Sequence, residues 1–295
     1  MTTQPAHISY SQLKLYETCP RKFWHTYVKE GGLRSLPNDL MSEGSQAHQA
    51  IATYIDERIA GRQPETCPIP AWQETIDSLI NQPESRALTE VVLTIPTPYR
   101  PIKCVLDFAV ITGNRATIID WKLNRLPAYE DDEQLALYAA AIMAEHPEVL
   151  EVKGMYAVIN SDKKVYHTHL FDQERCADTF RHWRRLSEQA SKRPLERSSY
   201  ELNPGDRCKS CPFAVDCAGK DYAFENYSLL SNEDLIRSYY VHSGVADQLK
   251  EEVRTRMERD NQNAIYAGLD GFTYKASMTL RESKMKPNKE PKGKK

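Results

Sequence analysis

Two aspartates and a lysine are spaced so that they could form a divalent-cation site. Asp107 lies in one apolar run, and Asp120 and Lys122 end a second apolar run as an Asp-x-Lys triple. Side chains two residues apart on a strand share a face, so Asp120 and Lys122 are expected to point the same way. Two neighbouring carboxylates repel each other unless a cation lies between them, and hard oxygen ligands suit Mg²⁺ or Mn²⁺. A lysine beside that cation can orient or help deprotonate a water, or neutralise charge developing on a phosphate.

The triple alone is weak evidence, because average composition gives about one such match by chance in a chain of this length. The triples Asp162-Lys163-Lys164 and Glu151-Val152-Lys153 also occur, but neither has an acidic partner on a preceding strand. The alternative interpretation of Asp120 and Lys122 is a surface ion pair on a hairpin.

Four other side chains are candidates for the same site. His48 lies within a predicted helix, and Glu90 heads the first predicted strand. Gln134 and Tyr138 are four residues apart on a predicted helix, so they share a face and could both reach a phosphate or a base. The structural alternatives are a packed histidine and an ordinary amphipathic helix.

The surrounding pattern predicts a mixed α/β domain, in which helices are followed by three strands, a helix and two more strands. Gly113-Asn114 is a hairpin-type turn, which makes the strands of Asp107 and Asp120 antiparallel neighbours. The predicted helices are 9–28 (broken at Cys19-Pro20), 42–59, 71–80, 130–145, 172–190 and 231–263. The predicted strands are 90–95, 102–111, 116–121, 154–159, 165–170 and 272–276, and 198–221 is predicted to be a loop.

The loop holds three of the seven cysteines in the spacing Cys208-x₂-Cys211-x₅-Cys217, and Cys19 lies near the other end of the chain. An odd total in a chain without a visible signal peptide fits four metal ligands and three bystanders better than a disulfide framework. Four thiolates suit a [4Fe–4S] cluster or Zn²⁺. Three close cysteines with one distant partner favour the cluster over zinc.

Taken in order, these motifs resemble the RecB-type branch of the PD-(D/E)xK nucleases, including AddB nuclease domains and CRISPR-associated iron–sulfur exonucleases. The resemblance covers residues 8–218 and includes Gly44-x₃-His48, Asp107, Asp120-x-Lys122 and Gln134-x₃-Tyr138. The segments 9–13 and 16–23 are also similar to that branch. It implies a restriction-endonuclease-like core sheet flanked by helices, with an iron–sulfur cluster stapling helical N-terminal and C-terminal parts.

The resemblance also implies roles. His48, Asp107, Asp120 and the carbonyl of Trp121 would bind Mg²⁺ or Mn²⁺, and Lys122 would position the attacking water. Gln134 and Tyr138 would orient the site and contact DNA. The [4Fe–4S] ligands would be Cys19, Cys208, Cys211 and Cys217. Many members have Glu where this chain has Asp120.

The implied activity is a metal-dependent DNA exonuclease in DNA repair, recombination or phage- and CRISPR-type processing, yielding a 3′-hydroxyl and a 5′-phosphate. The chain has no P-loop motif, so a separate recombinase, annealing protein or helicase is an expected partner. Two alternatives stay open: a catalytically silent DNA-binding or assembly module, and a restriction-type endonuclease.

Composition sets the remaining expectations. The net charge is −2, and the mean hydropathy is −0.62. No apolar run approaches the roughly 18 residues of a membrane span, so a cytoplasmic protein is expected. Arg21, Lys22 and Trp183 are candidate DNA contacts, the last within a basic run over 181–197 that could equally be a solvated helix face. The predicted parts are a nuclease domain with its cysteine clip at 8–221, a helical extension at 222–280 suited to self-association or partner docking, and a basic disordered tail at 281–295.

Overall fold

The computed structural model describes residues 6–29, 39–123, 126–127, 131–224, 227–259, 264–269 and 272–277. The chain forms two compact units, the first ending at Asn203 and the second beginning at Pro204. The division therefore falls inside the predicted loop 198–221, ahead of Cys208, whereas 8–221 is predicted to form one nuclease domain. The predicted basic tail at 281–295 lies outside the described residues.

The first unit is a mixed sheet with helices on both faces, which confirms the predicted mixed α/β class. Its helices are α1 (Tyr10–Thr18), α2 (Pro20–Phe23), α3 (Asp39–Ile59), α4 (Gln73–Ile80), α5 (Glu133–Glu145) and α6 (Gln173–Lys192). Its strands are β1 (Ile8–Ser9), β2 (Arg86–Ile95), β3 (Ile102–Thr112), β4 (Arg115–Lys122), β5 (Glu151–Val158) and β6 (Tyr166–Asp172). A π-helical turn, Trp24–Val28, follows α2.

Local chemistry explains where the first helices begin and end. The Ser9 side chain accepts from the Gln12 amide while the Gln12 side chain accepts from the Ser9 amide, which is a capping box. Pro20 cannot donate a backbone hydrogen bond, so it ends α1 at Thr18 and starts α2 as its first residue. The predicted break at Cys19-Pro20 is confirmed.

Strand pairing fixes the centre of the sheet. β3 pairs antiparallel with both β2 and β4, and the Gly113 turn has the positive φ of +55° that glycine tolerates. β4 and β5 are parallel neighbours connected through α5, and β6 pairs antiparallel with β5. The two-residue strand β1, parallel to the start of β3, was not predicted.

Each face of the sheet has its own core. On one face, α1, α5 and α6 bury side chains such as Leu13, Leu135 and Trp183. On the other, α3 and α4 bury Ile51, Trp72 and Ile76 against the strands. This two-sided burial explains why β3 and β4 are apolar runs in which a charged residue stands out.

The second unit holds the cysteine-rich segment and the long helix. Helices α7 (Ala214–Asp221) and α8 (Asn232–Arg259) pack together, and β7 (Ala264–Leu269) pairs with β8 (Phe272–Ser277). The prediction of a loop throughout 198–221 is wrong at its end, because α7 occupies the last eight residues. The sequence predicted one terminal strand, and β7 was missed. No helix of the described residues is long and apolar enough to span a membrane.

Candidate active site

The antiparallel β3–β4 pair brings the two aspartates together. Pairing extends to Phe108 opposite Ile119, and Asp107 and Asp120 are the next residues along the two strands. Oδ2 of Asp107 accepts from the Trp121 amide at 2.8 Å, which fixes that carboxylate against β4. A one-residue change in register would separate the acids and turn one set of side chains to the other face.

Lys122 lies directly against Asp120, as the shared strand face predicts. Its Nζ is 2.6 Å from Oδ2 of Asp120, and the Asp120 side chain is only 6% exposed. Burial raises the pKa of Asp120 to about 6, against the opposing effect of Lys122 and with a further increase from Asp107. The charged acid is therefore stabilised mainly by Lys122, and a cation beside it would favour the charged form further.

A second group of ligand atoms surrounds Asp107. His48 from α3, Glu90 from β2 and Asp107 from β3 each offer one atom, and the three atoms lie within 4.8 Å of one another. Nδ1 of His48 is 3.4 Å from Oδ1 of Asp107, and that hydrogen bond raises the pKa of His48. Burial, followed by the charge of Asp107, raises the pKa of Glu90.

The chemistry of this donor set fits a divalent cation. Mg²⁺ takes ligands at about 2.1 Å, so atoms on opposite sides of the ion lie about 4.2 Å apart. The three atoms lie within 4.8 Å of one another, and imidazole and carboxylate donors suit Mn²⁺ equally well. A candidate acidic metal site is therefore present around Asp107, where the β3–β4 pairing ends.

Gln134 and Tyr138 are connected to the site by two successive hydrogen bonds. Nζ of Lys122 donates to Oε1 of Gln134 at 3.2 Å, and Nε2 of Gln134 donates to the Tyr138 hydroxyl at 2.9 Å. The Tyr138 side chain is buried, at 7% exposure, and burial raises its pKa. Tyr138 therefore contacts Gln134, and through it Lys122, while its expected contact with DNA stays a prediction.

Tyr156 is a neighbour of the site that the sequence did not reveal. It is paired with Asp120 in the parallel β4–β5 register, and its ring centroid lies 4.9 Å from Nζ of Lys122. A tyrosine in an apolar strand looks like an ordinary core residue, so spacing carried no signal. The ring face favours the lysine cation and helps to hold it over the strand.

Two of the three predicted DNA contacts are buried in this structure. Arg21 is 6% exposed, and its Nε donates to the Tyr200 carbonyl at 2.8 Å, so it fastens the α1–α2 region to residue 200. Trp183 is 1% exposed and packs edge-on against Tyr10 at 5.1 Å, which leaves no open face for stacking on a base. Lys22 is half-buried.

The remaining basic residues of α6 differ in their availability. Arg181 pairs with Asp178 and Lys192 with Glu188, whereas Arg184 and Arg185 are exposed. A surface for the DNA backbone on this helix therefore depends on the last two.

All seven cysteines are described, and none forms a disulfide. Cys217 is buried within α7, while Cys208 and Cys211 are half-buried in the segment before it. In the second unit, Nε2 of Gln248 donates to the Cys211 carbonyl, and Gly244 lies against the Cys208 carbonyl. Helix α8 therefore covers the backbone of the cysteine segment. Cys19 belongs to the first unit, at the junction of α1 and α2.

Comparison with known proteins identifies the family. The model of the PD-(D/E)XK nuclease superfamily matches residues 7–218, so this chain belongs to that superfamily. Nucleases of this superfamily use divalent metal ions, in agreement with the possible metal site at Asp107. No match is found among curated proteins.

Two solved structures match this chain at low identity. One is SSO0001, at 17% identity and a TM-score of 0.43, covering 75% of this chain and 89% of the other. The second is a candidate exonuclease from Eubacterium rectale, at 11% identity and a TM-score of 0.42, covering 78% of this chain and 92% of the other. At these scores the likeness carries no argument about activity.

Proposed function

We propose that this protein is a Mg²⁺- or Mn²⁺-dependent deoxyribonuclease that degrades DNA from its ends. The observation that carries the proposal is the meeting of Asp107, Asp120 and Lys122 at one edge of the β3–β4 pair, with His48 against Asp107. A purely structural Asp–Lys pair would need neither the second carboxylate nor the histidine. Membership of the nuclease superfamily supports the same conclusion.

The residues proposed to hold the cation are His48, Asp107, Asp120 and the Trp121 carbonyl. When bound, a divalent cation polarises the scissile phosphate and makes water a better nucleophile at neutral pH. The chain itself supplies the orientation. Asp107 is locked by the Trp121 amide, so one of its oxygens stays directed toward His48.

Lys122 is proposed to hold the attacking water and to offset the negative charge that develops on the phosphate. Its ammonium group has three donors, which Asp120 and Gln134 engage only in part. Gln134, held by Tyr138, limits the positions that the ammonium can take. This preorganisation is the contribution that electrostatic catalysis requires from a protein.

The exposed Arg184 and Arg185 are proposed to follow the DNA backbone, because guanidinium groups bind phosphates by two parallel hydrogen bonds. Binding by such contacts depends on salt and not on sequence. This suits an enzyme that acts on any free end.

A [4Fe–4S] cluster on Cys19, Cys208, Cys211 and Cys217 is part of the proposal. The Arg21 amide donates to the Glu201 carbonyl at 3.0 Å, and the Asn203 side chain donates to the Thr18 carbonyl at 2.8 Å. These bonds hold the chain at 201–203 beside the turn that contains Cys19.

The sequence pattern, three close cysteines with one distant partner, is what favours a cluster over a single zinc ion. Tetrahedral zinc with bonds of about 2.3 Å brings its sulfurs to about 3.8 Å from one another. Among the described residues, the only group of three such ligands within 4.8 Å is His48, Glu90 and Asp107, so the three C-terminal cysteines are not at zinc spacing. In a [4Fe–4S] cluster each thiolate binds a different iron, so the sulfurs are farther apart.

The experiment that tests the activity uses anaerobically purified protein with two substrates, end-labelled linear DNA and covalently closed circular DNA. With Mg²⁺ or Mn²⁺, we expect progressive shortening of the linear DNA from one end, and no cleavage of the circle. Discrete bands from both substrates would instead establish a restriction-type endonuclease. Binding without any cleavage would leave the silent DNA-binding or assembly module.

The pathway follows from the substrate. Degradation of DNA ends belongs to repair, recombination or phage- and CRISPR-type processing, and the proposed partner is a recombinase, annealing protein or helicase in the cytoplasm. Helix α8 exposes Leu235, Ile236 and Tyr239, which suits the proposed docking or self-association of the C-terminal extension.

A further inference from the structure

Glu90 enters the active site through an unusual backbone conformation. Its φ is +45°, in the left-handed region that residues other than glycine rarely occupy, although it lies inside β2. Thr89 pairs with Phe108 and Val91 with Leu106, so regular pairing with β3 continues on both sides. The interruption is confined to Glu90, opposite Asp107.

The conformation has an electrostatic cost as well as a steric one. It places the Glu90 carboxylate within 4.8 Å of the Asp107 carboxylate, and two such charges repel each other unless a cation lies between them. His48, the third member of the group, offsets part of this repulsion, whereas Asp56 adds to it. A divalent cation would offset the repulsion of both acids.

Asp120 stands apart from this group. Its carboxylate is held at 2.6 Å by Lys122, and it is not among the three residues whose ligand atoms lie within 4.8 Å of one another. Asp107 faces both sides, since Oδ2 accepts from the Trp121 amide while Oδ1 faces His48. The group around Oδ1 therefore does not include Asp120.

We infer that Glu90 is a ligand of the divalent cation, and that His48, Glu90 and Asp107 supply most of the affinity for the cation in the absence of DNA. Asp120 then contributes chiefly when the phosphate is being cleaved. This inference rests on the proposed function, because it concerns the same site.

The test is Mn²⁺ binding to DNA-free protein, followed by the electron paramagnetic resonance signal of the free ion. Glu90→Gln keeps the shape of the side chain and removes its charge, and we expect at least about tenfold weaker binding. Asp120→Asn is expected to bind within about threefold of the wild type while losing cleavage.

Glu84 offers a matched control. It is the other non-glycine residue with a positive φ among those described, at +58°, and it is exposed ahead of β2. Glu84→Gln is expected to bind Mn²⁺ as the wild type does. Glu90→Gly, which tolerates the left-handed backbone, is expected to lose the cation without losing thermal stability, so that weak binding is not mistaken for misfolding.

Unchanged Mn²⁺ binding by Glu90→Gln would overturn the inference, as would an Asp120→Asn variant that loses as much affinity as Glu90→Gln. Cleavage measured on the same preparations separates the two claims. A wild type that binds Mn²⁺ through Glu90 but cleaves no DNA would refute the proposed nuclease, while the cation site that includes Glu90 would stand. If the wild type cleaves DNA and Glu90→Gln binds Mn²⁺ normally, the role of Glu90 is refuted and the proposed nuclease stands.

Discussion

The acidic corner of the first unit (Asp107, Asp120 and Lys122) and the cysteine segment of the second (208–217) are held by different kinds of contact. In the acidic corner, each candidate side chain has a named partner: Asp107 the Trp121 amide, Asp120 the ammonium of Lys122, and Lys122 the amide of Gln134. In the cysteine segment, the contacts are made by backbone carbonyls and the helix above them. The first site is set by strand register, whereas the geometry of the second would be set by the proposed cluster.

We expect the largest effect on DNA cleavage when Lys122→Ala is compared with Lys164→Ala, since both lysines lie in similar sequence triples. Lys122→Ala removes the cation beside Asp120, and we expect DNA cleavage to fall by about 10³-fold or more, because the developing charge on the phosphate loses its partner. Lys164→Ala alters a lysine in the triple Asp162-Lys163-Lys164 and is expected to leave the rate unchanged. Equal losses in both variants would contradict a site confined to the acidic corner.

The cysteine segment is tested by its metal content. Cys208→Ser is expected to reduce the iron from about four atoms per chain to nearly none, since one ligand of the cluster is lost. Cys67→Ser, outside the proposed ligand set, should keep the wild-type iron content. Iron and zinc are measured by elemental analysis of anaerobically purified protein. A wild type that contains zinc and no iron would refute the cluster.

The packing of α8 on the cysteine segment is tested by Gly244→Ala. A Cβ there would overlap the Cys208 carbonyl oxygen and lie 2.9 Å from the Cβ of Ala214, so α8 would have to move. We expect a loss of about 1 to 3 kcal/mol in the stability of the second unit, and faster loss of iron to a chelator. Gly219→Ala, on α7 with nothing within 4 Å of the new Cβ, should be neutral or stabilising. Equal stability of the two variants would show that α8 does not press on this segment.

The acidic corner has its own pH signature in metal-free protein. Because burial raises the pKa of Asp120 to about 6, the folded state binds a proton that the unfolded state releases between about pH 4 and pH 6. Stability therefore decreases as the pH rises through that window. Asp120→Asn lacks this titration, so its advantage over the wild type should grow by on the order of 2 kcal/mol between pH 4 and pH 6. Denaturant unfolding in EDTA measures the difference, and parallel curves for the two proteins would contradict the burial of a charged Asp120.

Much of the acidic corner could be predicted because it depends on rules of strand geometry. The hairpin turn and the two-residue period placed Asp107, Asp120 and Lys122 together, and helical spacing placed Gln134 beside Tyr138. Spacing carries no information on burial across elements. Trp183 was therefore predicted to contact DNA, although its side chain on α6 is buried.

The residues that the sequence missed are those whose position depends on tertiary contacts. Tyr156 is beside Lys122 only because β4 and β5 pair in one particular register. The place of Glu90 depends on a left-handed backbone inside a strand, which residue preferences predict against. The helix α7 was missed because turn-forming residues dominate the segment before it.

The central claim is tested most directly by DNA cleavage with Asp120→Ala beside Asp162→Ala, in the presence of Mg²⁺ or Mn²⁺. Both variants remove an aspartate from an Asp-x-Lys triple, but only Asp120 lies at the acidic corner. We expect end-labelled DNA to be shortened by the wild type and by Asp162→Ala, and to stay intact with Asp120→Ala or with EDTA. Metal-dependent shortening that persists in a folded Asp120→Ala variant would contradict the central claim.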